Sequence, residues 1–346
     1  MKRVSILLAA VLIACACSTQ PAGPQELNVM THDSFAATDT VIKSFEQAHN
    51  AKVNIIKSGD AGAALNKAIL SKQAPLADVL YGVDNTFLSR ALSEGIYEPY
   101  DAPALAQIPA QFQLDPSHQA LPVDYGDVCI NYDKAYFASH NLVVPNSLED
   151  LTKPAYKGLL VTENPATSSP GLAFLLATIQ HFGDPGYLGY WKILRQNGVQ
   201  VVDGWETAYY TNFSGSSGKG PQPLVVSYGT SPAAEVMFSK TPLSDSPIGS
   251  VLGPDTCFRQ IEFAGVLKGT KQKALAQQFI DFMLSKEFQA DMPGQMFVFP
   301  VLPDVTLPQE FTKYAQQPAQ PATLLPDAIA KNREAWIQAW TEAVLK

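Results

Sequence analysis

Apolar residues along the chain gather in short runs, separated by longer stretches in which apolar and polar positions alternate with helical spacing. Residues 27–30 (Leu-Asn-Val-Met), 53–56 (Val-Asn-Ile-Ile) and 77–80 (Ala-Asp-Val-Leu) have strand length, and residues 40–49 and 61–71 between them read as helices. Strands alternating with helices predict a parallel α/β unit. The pattern returns in the middle of the chain. Residues 159–161 and 224–226 read as strands around helices near 171–182 and 205–213, so a second α/β unit is predicted there. The last third differs: 257–267 is strand-like, 271–291 strongly helical, and a final helix spans 326–344. Ile329, Trp336, Trp340 and Val344 share one face of that helix, and the stripe reads as core packing. Residues 215–223, rich in Ser, Gly and Pro, read as an exposed loop, and the Pro-rich 316–326 as a connection over the surface. No internal repeat is found.

Composition sharpens the picture. The chain has 346 residues, 46% of them hydrophobic, which suits roughly two domains of about 150 residues with real cores. Lys and Arg number 24 against 32 Asp and Glu, a net charge of −8 that argues against nucleic acid as a partner. Two of the positive charges, Lys2 and Arg3, precede a short apolar run at 4–14 that reads as a secretory leader and is too short to span a bilayer. The run closes on Leu12-Ile13-Ala14-Cys15, which resembles the bacterial lipobox. Residues 1–14 are therefore expected to be a lipoprotein signal peptide, with Cys15 as the lipidated N-terminus and 15–26 as a tether. Cys17 offers a weaker second register, and ordinary leader cleavage is the plainer alternative. Export implies an oxidising compartment. Only Cys129 and Cys257 remain in the mature body, so one disulfide is the economical reading, two buried free thiols the alternative. A metal site on them has no support, since neither lies in a Cys-x-x-Cys pair.

Three places join a strand end, small polar residues and a helix start, where open α/β sheets bind ligands. In Thr167-Ser168-Ser169-Pro170-Gly171, Ser169 can serve as N-cap and Pro170 as the first helical residue. Ser227-Tyr228-Gly229-Thr230-Ser231-Pro232 repeats the Ser-Pro start, and Asp203-Gly204-Trp205-Glu206 has the form of a capping box. Each alone is an ordinary structural cap. Together, carrying Trp205 and Tyr228, they suggest a shared cleft, with aromatic faces suited to a flat organic cation. Asp33, Asp60 and Asp84 each follow a predicted strand and are the candidate counter-ions, although taken singly each reads first as a turn or capping residue. No catalytic pattern competes. Ser169 and Ser231 precede prolines, no Gly-x-Ser-x-Gly elbow occurs, and the five histidines, His32, His49, His118, His140 and His181, form no catalytic set. No phosphate-binding loop is present either, so any ATP hydrolysis must belong to a partner chain.

In order along the mature chain, Thr31-His32-Asp33-Ser34-Phe35-Ala36, residues 77–85, Val123-Asp124-Tyr125-Gly126, residues 167–171, Gly204-Trp205-Glu206-Thr207-Ala208-Tyr209, residues 227–233, Phe299-Pro300-Val301 and Val305-Thr306-Leu307-Pro308 resemble the thiamine-binding subunits of bacterial ABC importers. That resemblance implies an α/β, two-lobe periplasmic-binding-protein fold, with residues 27–125 and 264–346 as lobe 1 and 126–263 as lobe 2. It implies two crossing strands as a hinge, near 125–131 and 257–263, stapled by a Cys129–Cys257 disulfide. The implied ligand is thiamine or its phosphates, handed to a permease with a cytoplasmic ATPase by a monomer that is no enzyme and needs no cofactor or metal. Trp205 and Tyr228 match aromatics that pack on the thiamine rings, Asp60 an acidic residue near the ligand, Ser168 and Ser169 the phosphate-side loop, and Asp33 and Ser34 the cleft wall of the first lobe. Asp84, Tyr209 and Ser231 complete the expected ligand set. Two aromatics of that family are missing: Ala37-Thr38-Asp39 stands where a tryptophan is expected, and Ala234 replaces a tyrosine. Related importer subunits hold ferric iron through adjacent tyrosines, so Tyr209-Tyr210 with His32 and an Asp is the rival site, although helical geometry would point the two rings about 100° apart.

Overall fold

The computed structural model describes residues 23–217 and 219–346; the leader, Cys15, Cys17 and most of the tether lie outside the described residues. The strands β1 (Gln25–Thr31), β2 (Ala51–Lys57), β3 (Val79–Asp84), β4 (Tyr97–Glu98), β5 (Leu121–Asp133), β6 (Leu160–Glu163), β7 (Gln200–Val202), β8 (Leu224–Tyr228), β9 (Ile248–Val251), β10 (Phe258–Leu267) and β11 (Phe299–Pro300) join in one sheet. Its main path runs β2-β1-β3-β10-β5-β8-β6-β7. β1 lies parallel between β2 and β3, connected through helices Asp39–His49 and Ala61–Leu70. β6 lies parallel between β7 and β8, with helices Ser169–Phe182 and Gly186–Gln196 leading from β6 to β7. These are the two α/β units that the hydrophobic pattern predicts.

Between them run the two long strands β5 and β10, paired antiparallel from Val128↔Phe258 through Asp124↔Glu262 to Leu121↔Ala264. They are the hinge strands the resemblance implies. A register shift falls between Glu262 and Phe263 on the β5 side, and another between Phe263 and Ala264 on the β3 side, which concentrates bend and twist at that point. Periodicity alone does not reveal β5 because both its faces are covered. Asp124, Asp127 and Asn131 are as buried as Val123, Val128 and Ile130. Each polar side chain has its own partner. Arg259 Nε and Nη2 donate to the two Asp127 oxygens at 2.6 and 3.0 Å, and Asn131 Nδ2 donates to the Tyr228 carbonyl at 3.0 Å. At the end of the β5–β10 pair, Cys129 and Cys257 form the disulfide, not two free thiols.

Two expectations change. The helix expected over 271–291 is two helices, Lys273–Met283 and Lys286–Gln295, because Ser285 caps the second by accepting from the Phe288 N–H. The C-terminal region also makes a third passage, beyond the two crossings the resemblance implies. After β11 pairs with β5, helix Gln309–Tyr314 packs on helix Ser231–Met237; Gln316 N–H then donates to the Gly229 carbonyl at 2.8 Å, and Ala322 N–H to that of Cys257 at 2.7 Å. Residues 309–322, expected in lobe 1, thus rest on elements of the second unit. The final helix Pro326–Val344 buries the predicted stripe, with Trp340 meeting Trp191 edge to face at 5.4 Å, and also touches helix Leu88–Ser93 of the first unit.

The disulfide closes a loop of sequence separation 128. Replacing Cys129 and Cys257 together by serine is expected to cost about 2–5 kcal/mol of stability. Urea unfolding of the double variant, alongside wild type with and without reductant, checks this; equal midpoints for all three would contradict it.

Candidate functional site

The carboxyl ends of β1, β2, β6, β7 and β8 all face one cavity of about 920 Å³, where ligands lie in open α/β sheets. His32 and Ser34 follow β1, Asp60 follows β2, Ser169 follows β6, Trp205 and Tyr209 follow β7, and Tyr228 and Ser231 come from the end of β8; all line it. Glu262 enters from β10, and Met296 and Phe297 from beyond helix Lys286–Gln295.

Asp60 is the point where the two units meet. As N-cap of helix Ala61–Leu70 its Oδ1 accepts from the Ala61 N–H at 2.6 Å and, more weakly, from the Ser169 N–H at 3.4 Å. Its Oδ2 accepts from the Trp205 N–H at 2.9 Å. The expected capping box at Asp203 therefore does not form: the carboxylate at that chain turn arrives from the other unit. Burial raises the Asp60 carboxyl above its ordinary value, and the Trp205 and Ala61 N–H groups act against that rise. The two Ser-Pro helices also start one residue earlier than expected. Ser168 and Thr230 hold the cap positions without a side-chain cap bond, and Ser169 and Ser231 are the first helical residues. Freed from capping, Ser169 Oγ accepts from Gln260 Nε2 at 2.8 Å, and Ser231 Oγ bonds Ser227 Oγ at 3.0 Å.

Ser227 Oγ in turn accepts from Trp205 Nε1 at 2.8 Å, which fixes the indole on the cavity wall. Tyr209 stacks on Trp205 with centroids 5.0 Å apart and planes 18° from parallel, and Tyr228 meets it edge-on at 6.3 Å. Gly126 on β5 makes room for the Tyr228 ring, from which an added Cβ would stand 3.3 Å. The segment Thr207–Asn212 winds as a π-helix, and this wider turn brings both Tyr209 and Tyr210 to the lining. Tyr209 Oη donates to Glu235 Oε1 at 2.8 Å. Burial and then the Glu235 carboxylate push the Tyr209 phenol well above its usual range, and burial carries Tyr210 up to about 12.

The cavity thus gathers Ser34, Asp60, Ser169, Trp205, Tyr209, Tyr228 and Ser231 of the expected set, and Asp33, Asp84 and Ser168 lie off its lining. Asp33 is exposed, its carboxylate taken by the Gly59 N–H at 2.8 Å. Asp84 is fully buried, its Oδ1 accepting from Thr86 Oγ1 at 2.6 Å and Thr86 N–H at 3.0 Å. Ser168 is fully buried, and its hydroxyl acts on the Asp60 carboxyl behind the lining. Glu262, Glu235 and Phe297 line the cavity beyond the expected set, as do Glu206, expected only in a capping box, and His32, expected only in the rival iron site or among the scattered histidines. For Glu262 a signal existed: a lone carboxylate inside the apolar run Ile261-Glu262-Phe263 of a central strand has to be there for some partner. Ala234 also lines the cavity, so the ring that a tyrosine would add there is absent. Among the described residues no group of three or more His, Cys, Asp or Glu is placed to hold a metal ion.

Two α/β units joined by crossing strands, with a ligand-sized cavity where their strand ends converge, define a solute receptor. Residues 74–332 match the family described as bacterial extracellular solute-binding protein, and the chain belongs to that family of exported binding proteins. It is similar to the thiamine-binding periplasmic protein of Escherichia coli (strain K12), 32% identical over 323 residues that span 92% of this chain and 93% of that one. Among solved structures it resembles a periplasmic thiamin binding protein at a TM-score of 0.79 and 30% identity, covering 93% of this chain and 96% of that one. A ferric binding protein from Campylobacter jejuni shares the fold, with a TM-score of 0.74 and 22% identity over 92% of this chain and 99% of that one.

Asp84 gives a test of the wall behind the cavity. Burial pushes its carboxyl up to about 7, against the hydrogen bonds from Thr86. An unfolded aspartate loses its proton near about pH 4, so the folded chain binds the extra proton between those values. Stability is then highest below the unfolded value and falls as pH rises toward 7. Asp84→Asn is expected to flatten that fall, measured as urea midpoints at about pH 5 and pH 8; a slope identical to wild type would rule it out.

Proposed function

We propose that this protein is the substrate-binding subunit of an ABC importer that captures thiamine or a thiamine phosphate between its two lobes and delivers it to a membrane permease. The observation that carries the ligand class is the wall of Trp205, Tyr209 and Tyr228 set beside the carboxylates of Asp60 and Glu262 in one cavity. A flat ring system with a positive charge finds there both an aromatic face and a counter-charge. The similarity to thiamine-binding periplasmic proteins over nearly the whole chain supports the same solute. The helix starts at Ser169 and Ser231 supply the polar end of the cavity. No chemistry is needed: ligand contacts made to both lobes at once favour the closed form, and its recognition by the permease completes the transfer.

Ferric iron fits less well. Tyr209 is stacked on Trp205 with its hydroxyl given to Glu235, and the Tyr209 and Tyr210 rings stand 86° apart, so the two do not present a ready pair of ligands to one ion. We also assign Cys15 as the lipid-bearing residue and residues 15–26 as the tether of a monomeric, membrane-anchored receptor.

Calorimetric titration of the soluble domain, stripped of ligand by unfolding and refolding, with thiamine, thiamine monophosphate and thiamine diphosphate is expected to give one-to-one binding with quenching of Trp fluorescence. Trp205→Ala should weaken that binding by about 1–3 kcal/mol. Silence from all three ligands would reject the thiamine assignment. Cys15→Ala should move the protein from the membrane fraction to the soluble exported fraction on immunoblots, whereas continued membrane association would shift the anchor to Cys17.

A further inference from the structure

Glu262 stands on the central strand β10, buried, with its carboxylate on the cavity lining. Tyr81 Oη lies 2.9 Å from Glu262 Oε2 and 2.6 Å from Asp124 Oδ2. A phenol has one proton to give, so both contacts are hydrogen bonds only if one of the two carboxyls carries a proton and donates it back. Asp124 is the place for it: fully buried, with Oδ1 lacking any partner. Burial and the neighbouring Glu262 charge raise the Asp124 carboxyl well above its usual range. Burial acts to raise Glu262 as well, but His32, Tyr81 and Asp124 hold it below the ordinary carboxylate value. Glu262 is therefore the ionised member, and its Oε1 faces His32 Nε2 at 3.6 Å.

That distance is an ion pair and not a hydrogen bond, and His32 Nε2 is buried without a hydrogen-bond partner. The imidazole reaches the cavity only because Gly82 has no side chain; a Cβ there would stand 2.3 Å from His32 Cδ2, and the Gly82 φ of +97° suits glycine. Around the pair stand Asp33 in the same turn, Asp60 at the helix start after β2, Tyr81 and Asp84 on β3, Asp124 on β5 and Tyr228 on β8. Burial alone would drive His32 toward its neutral form, but the charges of Glu262, Asp60 and Asp33 raise it above its ordinary value. Two lysines, Lys219 and Lys240, also line the cavity, and both are exposed. The imidazolium is thus the positive charge that balances the buried floor.

We propose that the ligand's cation pairs with Glu262 and enters in exchange for the His32 proton, so that capture weakens as the medium becomes acidic. The step balances: the imidazolium gives one N–H proton to buffer as one positive charge enters, and the net charge of the site is unchanged. This inference rests on the cationic ligand proposed above. It makes Glu262 the residue that selects for positive charge and His32 the residue that sets the pH at which selection works.

The mature protein is titrated with unphosphorylated thiamine between about pH 6 and pH 8, across the imidazole range, and at pH 7 in phosphate and in Tris, whose heats of ionisation differ. The expected result is a dissociation constant that rises as pH falls, by at most about tenfold per unit, and heats that differ between the buffers by the release of up to one proton. His32→Gln should remove both effects. A dissociation constant indifferent to pH with equal heats in the two buffers overturns the exchange, and the wild-type measurement decides this even if the variant does not fold. An unchanged pH profile in a folded His32→Gln protein overturns it too. Absence of any thiamine binding is a distinct outcome, which rejects the proposed function and the exchange with it.

Discussion

Everything in this molecule hangs on the antiparallel pairing of β5 with β10. Two parallel units have no edge in common except through these strands, because the first ends at β3 and the second at β8. The pair carries the chain between the units, takes the Cys129–Cys257 bridge at one end and bends at the register shifts near Glu262 and Phe263. A backbone ladder resists shear strongly and bending weakly, so a hinge of this kind lets the units close without sliding past each other. The Arg259–Asp127 pair, with Asp127 buried and Arg259 half-buried, is bonded through two parallel contacts between opposing residues and holds the register of the two strands.

The same strands set the electrostatics of the cavity. Asp124 and Glu262 face one another across the ladder, and Tyr81 from β3 joins them. Carboxylates are expensive to bury unless paired or protonated, and here both solutions operate within a few ångströms: a proton on Asp124, an imidazolium beside Glu262. Asp60 follows a third route, accepting backbone N–H groups from Ala61 of its own helix and from Trp205 of the other unit. Acidic residues are thus held in a low-dielectric pocket where a cationic ring is the natural complement, and aromatic faces cover the directions the acids leave open.

How much of this was legible depends on whether the signal is local. The runs that became β1, β2, β6, β8 and β10 were readable because each is an apolar stretch of strand length bounded by polar turns. β5 was hidden by Asp124, Asp127 and Asn131, whose partners, Tyr81, Arg259 and Tyr228, come from distant parts of the chain. At the cavity, Trp205, Tyr228 and the two Ser-Pro helix starts could be found as strand-to-helix junctions. Asp33 and Asp84 carried the same local signature as Asp60, yet only Asp60 lines the cavity: Asp33 is taken by the Gly59 N–H of the turn after β2, and Asp84 by Thr86 of its own turn.

The sequence by itself determined two α/β units, their strand-to-helix junctions and the aromatic residues of a candidate cleft, since each follows from spacing, from residue type or from collinear likeness to relatives. Only the tertiary structure decided which acids meet the ligand space, that Asp60 and not Asp203 caps the Trp205 turn, and that His32 and Glu262 face each other. Local pattern encodes secondary structure through hydrogen bonding between near neighbours. The charge and reach of a buried carboxylate are set by whatever the fold brings within a few ångströms, and for Glu262 and His32 the intervening chain is more than two hundred residues long.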